Sequence, residues 1–302
     1  MSMELWIPIT IAAAFAQNLR TMLQKHLTGR LSTLGATSTR FVLGLPFAAL
    51  FLWLVIAIGG QPIPRPTGLF GLYGAVGGLA QILATFCLLS ALRYRNFAVG
   101  NTYSKTETVQ TALFSAVILG ETLTGWAAAG IAVSLAGVVA ISVAKLRLHP
   151  SALLTALTEK AALLGLASGA LFGASAVCYR AATLALDSGD PLIRAAVTLF
   201  AVLAFQTLAI LLYLGWREPG QIRALFRHWR WTVLVGLVGM LGSAGWFLAM
   251  ALQQAAYVRA LGQVELLFTF AASMLIFRER TNRVELLGIT LVVAGILFLL
   301  LG

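Results

Sequence analysis

Long apolar segments, separated by short stretches that contain Arg, Lys, Pro or Gly, recur along the whole chain. A transmembrane helix needs about 20 predominantly apolar residues. Ten segments have about that length: 4–27, 34–58, 68–92, 97–119, 123–144, 160–185, 191–215, 231–252, 256–277 and 283–301. The strands of a membrane barrel would be about half as long and would alternate in polarity. The sequence therefore predicts an all-α integral membrane protein with ten transmembrane helices.

Composition leaves no room for a large water-soluble domain. Of the 302 residues, 60% are apolar and 10% are charged, whereas soluble proteins carry about 25% charged residues. The net charge of +11 is distributed over short loops between apolar segments, which favours membrane orientation over nucleic-acid binding. Cys87 and Cys178 both lie inside apolar segments. We therefore predict neither a disulfide framework nor a thiolate metal site. No metal and no cofactor are expected.

The end of the first half of the chain repeats at the end of the second half. Residues 98–144 align without gaps on 256–302 at a constant offset of 158 residues. Four identities at this offset carry the alignment: Glu107 with Glu265, Glu121 with Glu279, Gly130 with Gly288, and Gly137 with Gly295. Weaker matches continue upstream. We predict two five-helix repeats, residues 1–145 and 155–302.

An odd number of helices in each repeat requires the second repeat to enter the membrane in the opposite direction. The loops that this arrangement places on one side hold nearly all the basic residues: Lys25, Arg30, Arg93, Arg95, Lys145, Arg147, Arg217, Arg223, Arg227, Arg230, Arg278, Arg280 and Arg283. Basic loops face the cytoplasm, so both termini are predicted to be extracytoplasmic, in a cell membrane. The first segment has Glu4 and no basic residue before its apolar part, unlike a signal peptide, and we expect a retained helix.

The ends of both repeats resemble a known family. Leu119-Gly120-Glu121-Thr122-Leu123-Thr124, followed by Gly130 and Gly137-Val138, resembles the end-of-repeat signature of the EamA-type branch of the drug/metabolite transporter superfamily. It recurs as Phe277-Arg278-Glu279-Arg280-Thr281, with Arg278 where the signature has Gly. The resemblance covers the whole chain. It implies ten helices in two inverted repeats around a central cavity and the export of amino acids, other metabolites or toxic compounds.

Two glutamates lie near the middle of predicted helices 4 and 9. A charged side chain at the centre of a membrane costs about 3 kcal/mol on insertion scales, so Glu107 and Glu265 need compensation. They are candidates for binding substrate or carrying a proton, and the alternative is a static ion pair or hydrogen-bonded clamp between helices. Further candidates on helix 4 are Tyr103, Ser104, Lys105 and Gln110. Lys105 is a possible counter-charge, although its spacing from Glu107 does not favour a direct pair.

Other polar candidates lie on predicted helices 1, 3 and 8. Gln17 and Arg20 form a stripe on helix 1, where Arg20 either lines a cavity or extends to the interface. Gln81 and Trp246 are candidate substrate contacts on glycine-rich helices, whose small residues otherwise favour close helix packing. Three further arginines are expected near helix ends: Arg40 and Arg194 as boundary residues and Arg180 extended to the interface.

These observations together predict a secondary transporter. We expect it to export a small metabolite, amino acid or toxic compound by alternating access, with proton coupling left open. Its expected partners are a small-molecule substrate, the lipid bilayer and, if coupled, protons. A flippase for lipid-linked substrates with the same architecture is the alternative. An enzyme is not expected, because no nucleophile and base can be placed together at one depth.

Overall fold

The computed structural model describes residues 4–27, 29–91, 102–146, 158–275 and 282–301. Thirteen α-helices and a 3₁₀ turn at Gly262–Val264 occur among these residues, and none of these residues forms a strand. The helices are α1 (Trp6–Leu27), α2 (Thr33–Val42), α3 (Leu45–Gly59), α4 (Gly68–Ala91), α5 (Glu107–Leu119), α6 (Gly125–Leu146), α7 (Lys160–Leu184), α8 (Pro191–Arg217), α9 (Pro219–Arg227), α10 (Trp229–Leu252), α11 (Ala255–Leu261), α12 (Glu265–Leu275) and α13 (Arg283–Leu301). The all-α prediction is confirmed.

Seven helical segments within the described ranges are long and apolar enough to cross a membrane. They are Thr33–Gly59, Gly68–Ala91, Gly125–Ser142, Lys160–Leu184, Pro191–Arg217, Trp229–Leu252 and Arg283–Leu301. The chain is therefore a multi-pass membrane protein. The three other predicted spans, 4–27, 97–119 and 256–277, contain most of the candidate site residues. Within the described residues, the last two contain helices of 13 residues or fewer. Ten spans stay a prediction.

The helices group into two compact units, and each unit combines parts of both predicted repeats. The first unit comprises Met1–Ile82 and Ser175–Gln254, and the second comprises Leu83–Ala174 and Ala255–Gly302. The predicted division at 1–145 and 155–302 concerns the sequence repeats, and it stays a prediction. The contact units show that residues far apart in the sequence build each core.

In the first unit, α1 packs along α10, and α8 packs against α2, α3 and α10. Two details differ from the sequence prediction. The segment 34–58 is interrupted between α2 and α3, where Pro46 lies in the first turn of α3 and is tolerated there because that turn leaves its N–H groups without helical partners. The predicted loop 216–230 contains α9, which begins at Pro219 for the same reason.

In the second unit, α6 and α13 pack together through the repeated glycines. A Cβ atom at Gly130 would lie 2.6 Å from the carbonyl oxygen of Gly295, and one at Gly137 would lie 2.5 Å from that of Gly288. The order of these contacts makes the two helices antiparallel. Close approach of backbones through small residues is typical of helix packing in membranes.

The family-like signature ends α5. Gly120 has a φ of 66°, a left-handed conformation that favours glycine, and Glu121 accepts a hydrogen bond from the Ser115 hydroxyl. Gly120 and Glu121 thus terminate the helix. The second copy, including Arg278 and Glu279, lies outside the described residues.

Candidate functional site

The polypeptide around Glu107 is a helix with an interruption. Residues 102–104 form a helical turn, after which the N–H groups of Lys105 and Thr106 donate to the carbonyls of Thr102 and Tyr103, each at 3.1 Å. These hydrogen bonds span three residues, as in a 3₁₀ turn. The helix α5 then begins at Glu107. A carboxylate in the first turn is favourable because it faces the positive end of the helix dipole.

The segment around Glu265 has the same construction. The helix α11 ends at Leu261, a 3₁₀ turn covers Gly262–Val264, and α12 begins at Glu265. Both glutamates are thus the first residue of a helix that follows a tight turn. Short 3₁₀ stretches inside helices mark hinges or strained sequences in many proteins. The two sequence repeats therefore carry matching carboxylates, Glu107 and Glu265, and each lies where a helix is interrupted.

Four charged side chains join the two interruptions crosswise. Lys105 forms an ion pair with Glu265, and Arg259 forms an ion pair with Glu107. The side chains are 11–20% exposed, so solvent screens them weakly. Two positive and two negative charges make this charge quartet (Lys105, Glu107, Arg259 and Glu265) neutral. Each glutamate therefore has a cation from the other repeat beside it.

Neutral hydrogen bonds surround the quartet. Gln263 Nε2 donates to Thr108 Oγ1 at 2.6 Å, which adds a further link between the two segments. Gln110 Nε2 donates to Thr106 Oγ1 at 3.0 Å, beside the first interruption. The Ser104 hydroxyl lies 3.5 Å from that of Ser168 on α7. These bonds fix the polypeptide on which the charges lie.

A pair of glycines on α7 allows this segment to pack closely. A Cβ at Gly169 would lie 3.0 Å from the Ser104 carbonyl oxygen, and one at Gly173 would lie 2.9 Å from Thr111 Oγ1. Tyr103 is half-buried next to Ser104. Of the residues predicted on helix 4, Lys105 and Glu107 therefore belong to the charge quartet, whereas Ser104 and Gln110 support it.

Arg259 is the functional candidate that the sequence prediction missed. The signal was present, because a carboxylate in an apolar segment requires a counter-charge, and Arg259 lies in the same apolar segment as Glu265. The positions that match Lys105 and Arg259 in the other repeat are Gln263 and Asn101. The cations are therefore not repeated, and the sequence alignment alone does not reveal them.

The other predicted site residues, Gln17, Arg20, Gln81 and Trp246, belong to the first unit. Gln81 Oε1 accepts hydrogen bonds from the Tyr179 hydroxyl at 3.1 Å and from Gln206 Nε2 at 3.0 Å. Gln17 is half-buried, and Arg20 and Trp246 are both 7% exposed. Gln81, Tyr179 and Gln206 therefore form a polar cluster within the first unit.

Two arginines predicted near helix boundaries donate hydrogen bonds within the first unit. Arg40 is only 4% exposed, and its guanidinium donates to Ser243 Oγ at 3.4 Å. Arg180 donates to the carbonyl oxygens of Met250 and Gln253 at 2.6 and 2.7 Å. It thereby satisfies carbonyls at the C-terminus of α10, where helices lack internal partners.

No group of three or more His, Cys, Asp or Glu side chains that could hold a metal ion occurs in the part of the chain that the structure describes.

Comparison with known families decides the broader class. The sequence model of the EamA-like transporter family matches residues 4–143 and again residues 159–301. The chain belongs to the EamA-like transporter family. The resemblance at the ends of the repeats is thus confirmed, and the EamA-like chain is a membrane transporter of the drug/metabolite type.

Solved structures agree with this fold. One match, titled "Crystal structure of protein", shares 17% sequence identity with the EamA-like chain and superposes with a TM-score of 0.68. The match covers 97% of this chain and 94% of the other. No curated protein matches the sequence.

Proposed function

We propose that the protein exports a small metabolite by alternating access between two inverted five-helix repeats, and that the charge quartet is its proton-sensitive element. The crosswise pairing of Glu107 and Glu265 carries this proposal. A proton that binds either carboxylate removes the negative charge from one ion pair and loosens the contact between the two interrupted segments. Such a contact can be made and broken once per transport cycle.

A purely structural contact has no need of charges. Burying two ion pairs costs desolvation energy, and well-packed apolar residues of similar size are often equally stabilising or better. Charged residues inside membranes are expensive and mark substrate, ion or proton pathways. The charge quartet has no net charge, and one added proton would give it a charge of +1.

Reciprocal contacts support the inverted arrangement. Under a two-fold relation, if residue i of one repeat contacts residue j of the other, then j of the first contacts i of the second. Gly130 faces Gly295 while Gly137 faces Gly288, and these are the two repeated glycine pairs. Inverted repeats with interrupted helices near the substrate are common among secondary transporters.

The first experiment identifies a substrate and tests the carboxylates. A metabolite panel is scored by thermal shift of the purified protein at two pH values, and a hit is then followed by uptake into proteoliposomes. We expect Glu107→Gln and Glu265→Gln to lower the uptake rate at least about tenfold and to flatten its pH dependence, as loss of an essential proton-transfer group does. Glu159→Gln, at an exposed acid, is the matched control.

A paired substitution separates the transport role from a clamp. Glu107→Gln alone removes the negative charge beside Arg259 and is expected to destabilise the protein by about 3–5 kcal/mol, the usual cost of breaking a buried pair. Glu107→Gln with Arg259→Gln restores charge balance and stability. If the double variant also regains pH-dependent transport, the Glu107–Arg259 pair is only a clamp. If soluble metabolites fail while lipid-linked compounds shift the thermal stability, the alternative of a flippase is favoured.

A further inference from the structure

A cluster of exposed aromatic side chains lies where α8, α9 and α10 meet. Trp216 is 71% exposed, Phe226 59%, Trp229 57% and Trp231 39%. Large apolar side chains exposed together at the end of an apolar helix indicate a surface that contacts something other than water. The helix α8 is 27 residues long, so the cluster lies at one end of a full membrane span.

Four exposed arginines accompany these aromatic residues. Arg217, Arg223, Arg227 and Arg230 are all exposed. The guanidinium of Arg217 lies 4.3 Å from the Trp216 ring centroid, and that of Arg230 lies 5.8 Å from the Trp229 ring centroid. The one acid in the same stretch, Glu218, accepts a hydrogen bond from the Ser32 hydroxyl. We call these four arginines and four aromatic residues the arginine–aromatic patch; its net charge is strongly positive.

The patch has a fixed backbone. Leu225 of α9 is fully buried, and its carbonyl oxygen accepts from Thr232 Oγ1 at 3.0 Å. Gln221 Oε1 accepts from the Ser32 N–H at 3.0 Å. One face of α9 is therefore docked on the protein, while Arg223, Phe226 and Arg227 are directed outwards.

We propose that the arginine–aromatic patch binds the headgroups of anionic phospholipids at the membrane surface. Tryptophan is enriched at the membrane–water interface, where its ring lies at headgroup level, and arginine adds an attraction to anionic lipid there. The opposite end of α8 has a different charge, since Asp187 and Asp190 are exposed there. Charge complementarity therefore selects anionic lipid as the occupant. This proposal does not depend on the transport function.

The test uses the purified full-length protein in neutral detergent. Dioleoyl phosphatidylglycerol or dioleoyl phosphatidylcholine is added, and the melting temperature and the lipid retained in native mass spectra are measured. Phosphatidylglycerol is expected to raise the melting temperature by several degrees more than phosphatidylcholine. Arg223→Gln with Arg227→Gln is expected to weaken phosphatidylglycerol binding at least about tenfold, since each arginine contributes to the attraction.

The control variant has the same change in net charge elsewhere. Arg65→Gln with Lys160→Gln removes two exposed basic residues outside the patch and should bind phosphatidylglycerol like the wild type. Raising the salt concentration should reduce the difference between the two lipids. Equal binding of both lipids, equal loss in both variants, or reproduction of the shift by inorganic phosphate or by RNA would each overturn the proposal.

Discussion

At the scale of single residues, Asp190 shows how one side chain sets a helix end. One carboxylate oxygen accepts from the N–H groups of Leu192 and Ile193, both at 2.9 Å, and the other accepts from Gln61 Nε2 at 2.7 Å. The hydrogen bond from Ile193 is the largest of several causes that hold the pKa of Asp190 below its usual value. The charged form is thus preferred in the folded protein.

We predict that Asp190→Ala lowers the free energy of unfolding by about 1 kcal/mol at neutral pH, the usual cost of losing an N-cap. Because the pKa is lowered on folding, the stabilisation is present above the unfolded pKa of about 3.9 and is lost as the pH falls through the folded value. Denaturation in detergent at several pH values should therefore show that the stabilities of the wild type and of Asp190→Ala converge in acid.

Asp190→Asn is the matched control for this effect. Asparagine keeps a capping oxygen but has no titratable carboxyl. We expect its stability to be close to that of the wild type at neutral pH, with a weaker dependence on acid. A constant difference between Asp190→Ala and the wild type at every pH would contradict the assignment of the effect to the ionised cap.

The same scale shows what the sequence could predict about the site. Glu107 and Glu265 are visible because an acid in an apolar segment is costly and because the repeat aligns them. Lys105 lies 160 residues before its partner Glu265, and Arg259 lies 152 residues after its partner Glu107. No local pattern in the sequence pairs them. The sequence positions of Arg40 and Arg180 indicate helix ends, but they do not indicate which tertiary neighbours accept the hydrogen bonds of the two guanidinium groups.

At the scale of elements, the contact between α6 and α13 depends on space that only glycine provides. A Cβ at Gly295 would lie 2.6 Å from the backbone nitrogen of Ser134 and the same distance from the carbonyl oxygen of Gly130. Backbone atoms cannot move aside as a flexible side chain can. The two helices would have to separate, and the packing of Val138 and Ile141 against Val292 would loosen.

We predict that Gly130→Ala and Gly137→Ala each lower the stability of the protein in detergent by about 1–3 kcal/mol, the usual cost of overpacking. Gly71→Ala is the control, since it lies within α4 and a Cβ there meets nothing within 4 Å. Alanine is the better helix former by about 1 kcal/mol, so the control should be neutral or slightly stabilising. Similar melting temperatures for all three variants would refute the close packing.

Element boundaries were predictable where local chemistry decides them. Pro46 and Pro219 are both favourable in the first turn of a helix, and they were available as signals for α3 and α9. The 3₁₀ turns before Glu107 and Glu265 have no comparable signal, since neither contains a proline. The charged side chains at these turns pair across the unit, and periodicity does not encode such contacts.

At the scale of the whole molecule, the basic and acidic residues divide between the two ends of α8. Arg217 lies at one end and Asp190 caps the other, and 27 helical residues separate them by about 40 Å. Basic ends face the cytoplasm. This distribution predicts that Gly220, at the start of α9, is cytoplasmic, and it makes the number of spans on either side of that point testable.

Two five-helix repeats require an even total of spans and hence both termini on the same side of the membrane. In a background with Cys87→Ala and Cys178→Ala, we predict that Leu5→Cys and Leu301→Cys, at positions 63% and 74% exposed, react with a membrane-impermeant maleimide in intact cells. Gly220→Cys should react only after permeabilisation. Seven spans would place the termini on opposite sides, so labelling of one terminus alone would refute the inverted repeats while leaving the membership of the family untouched.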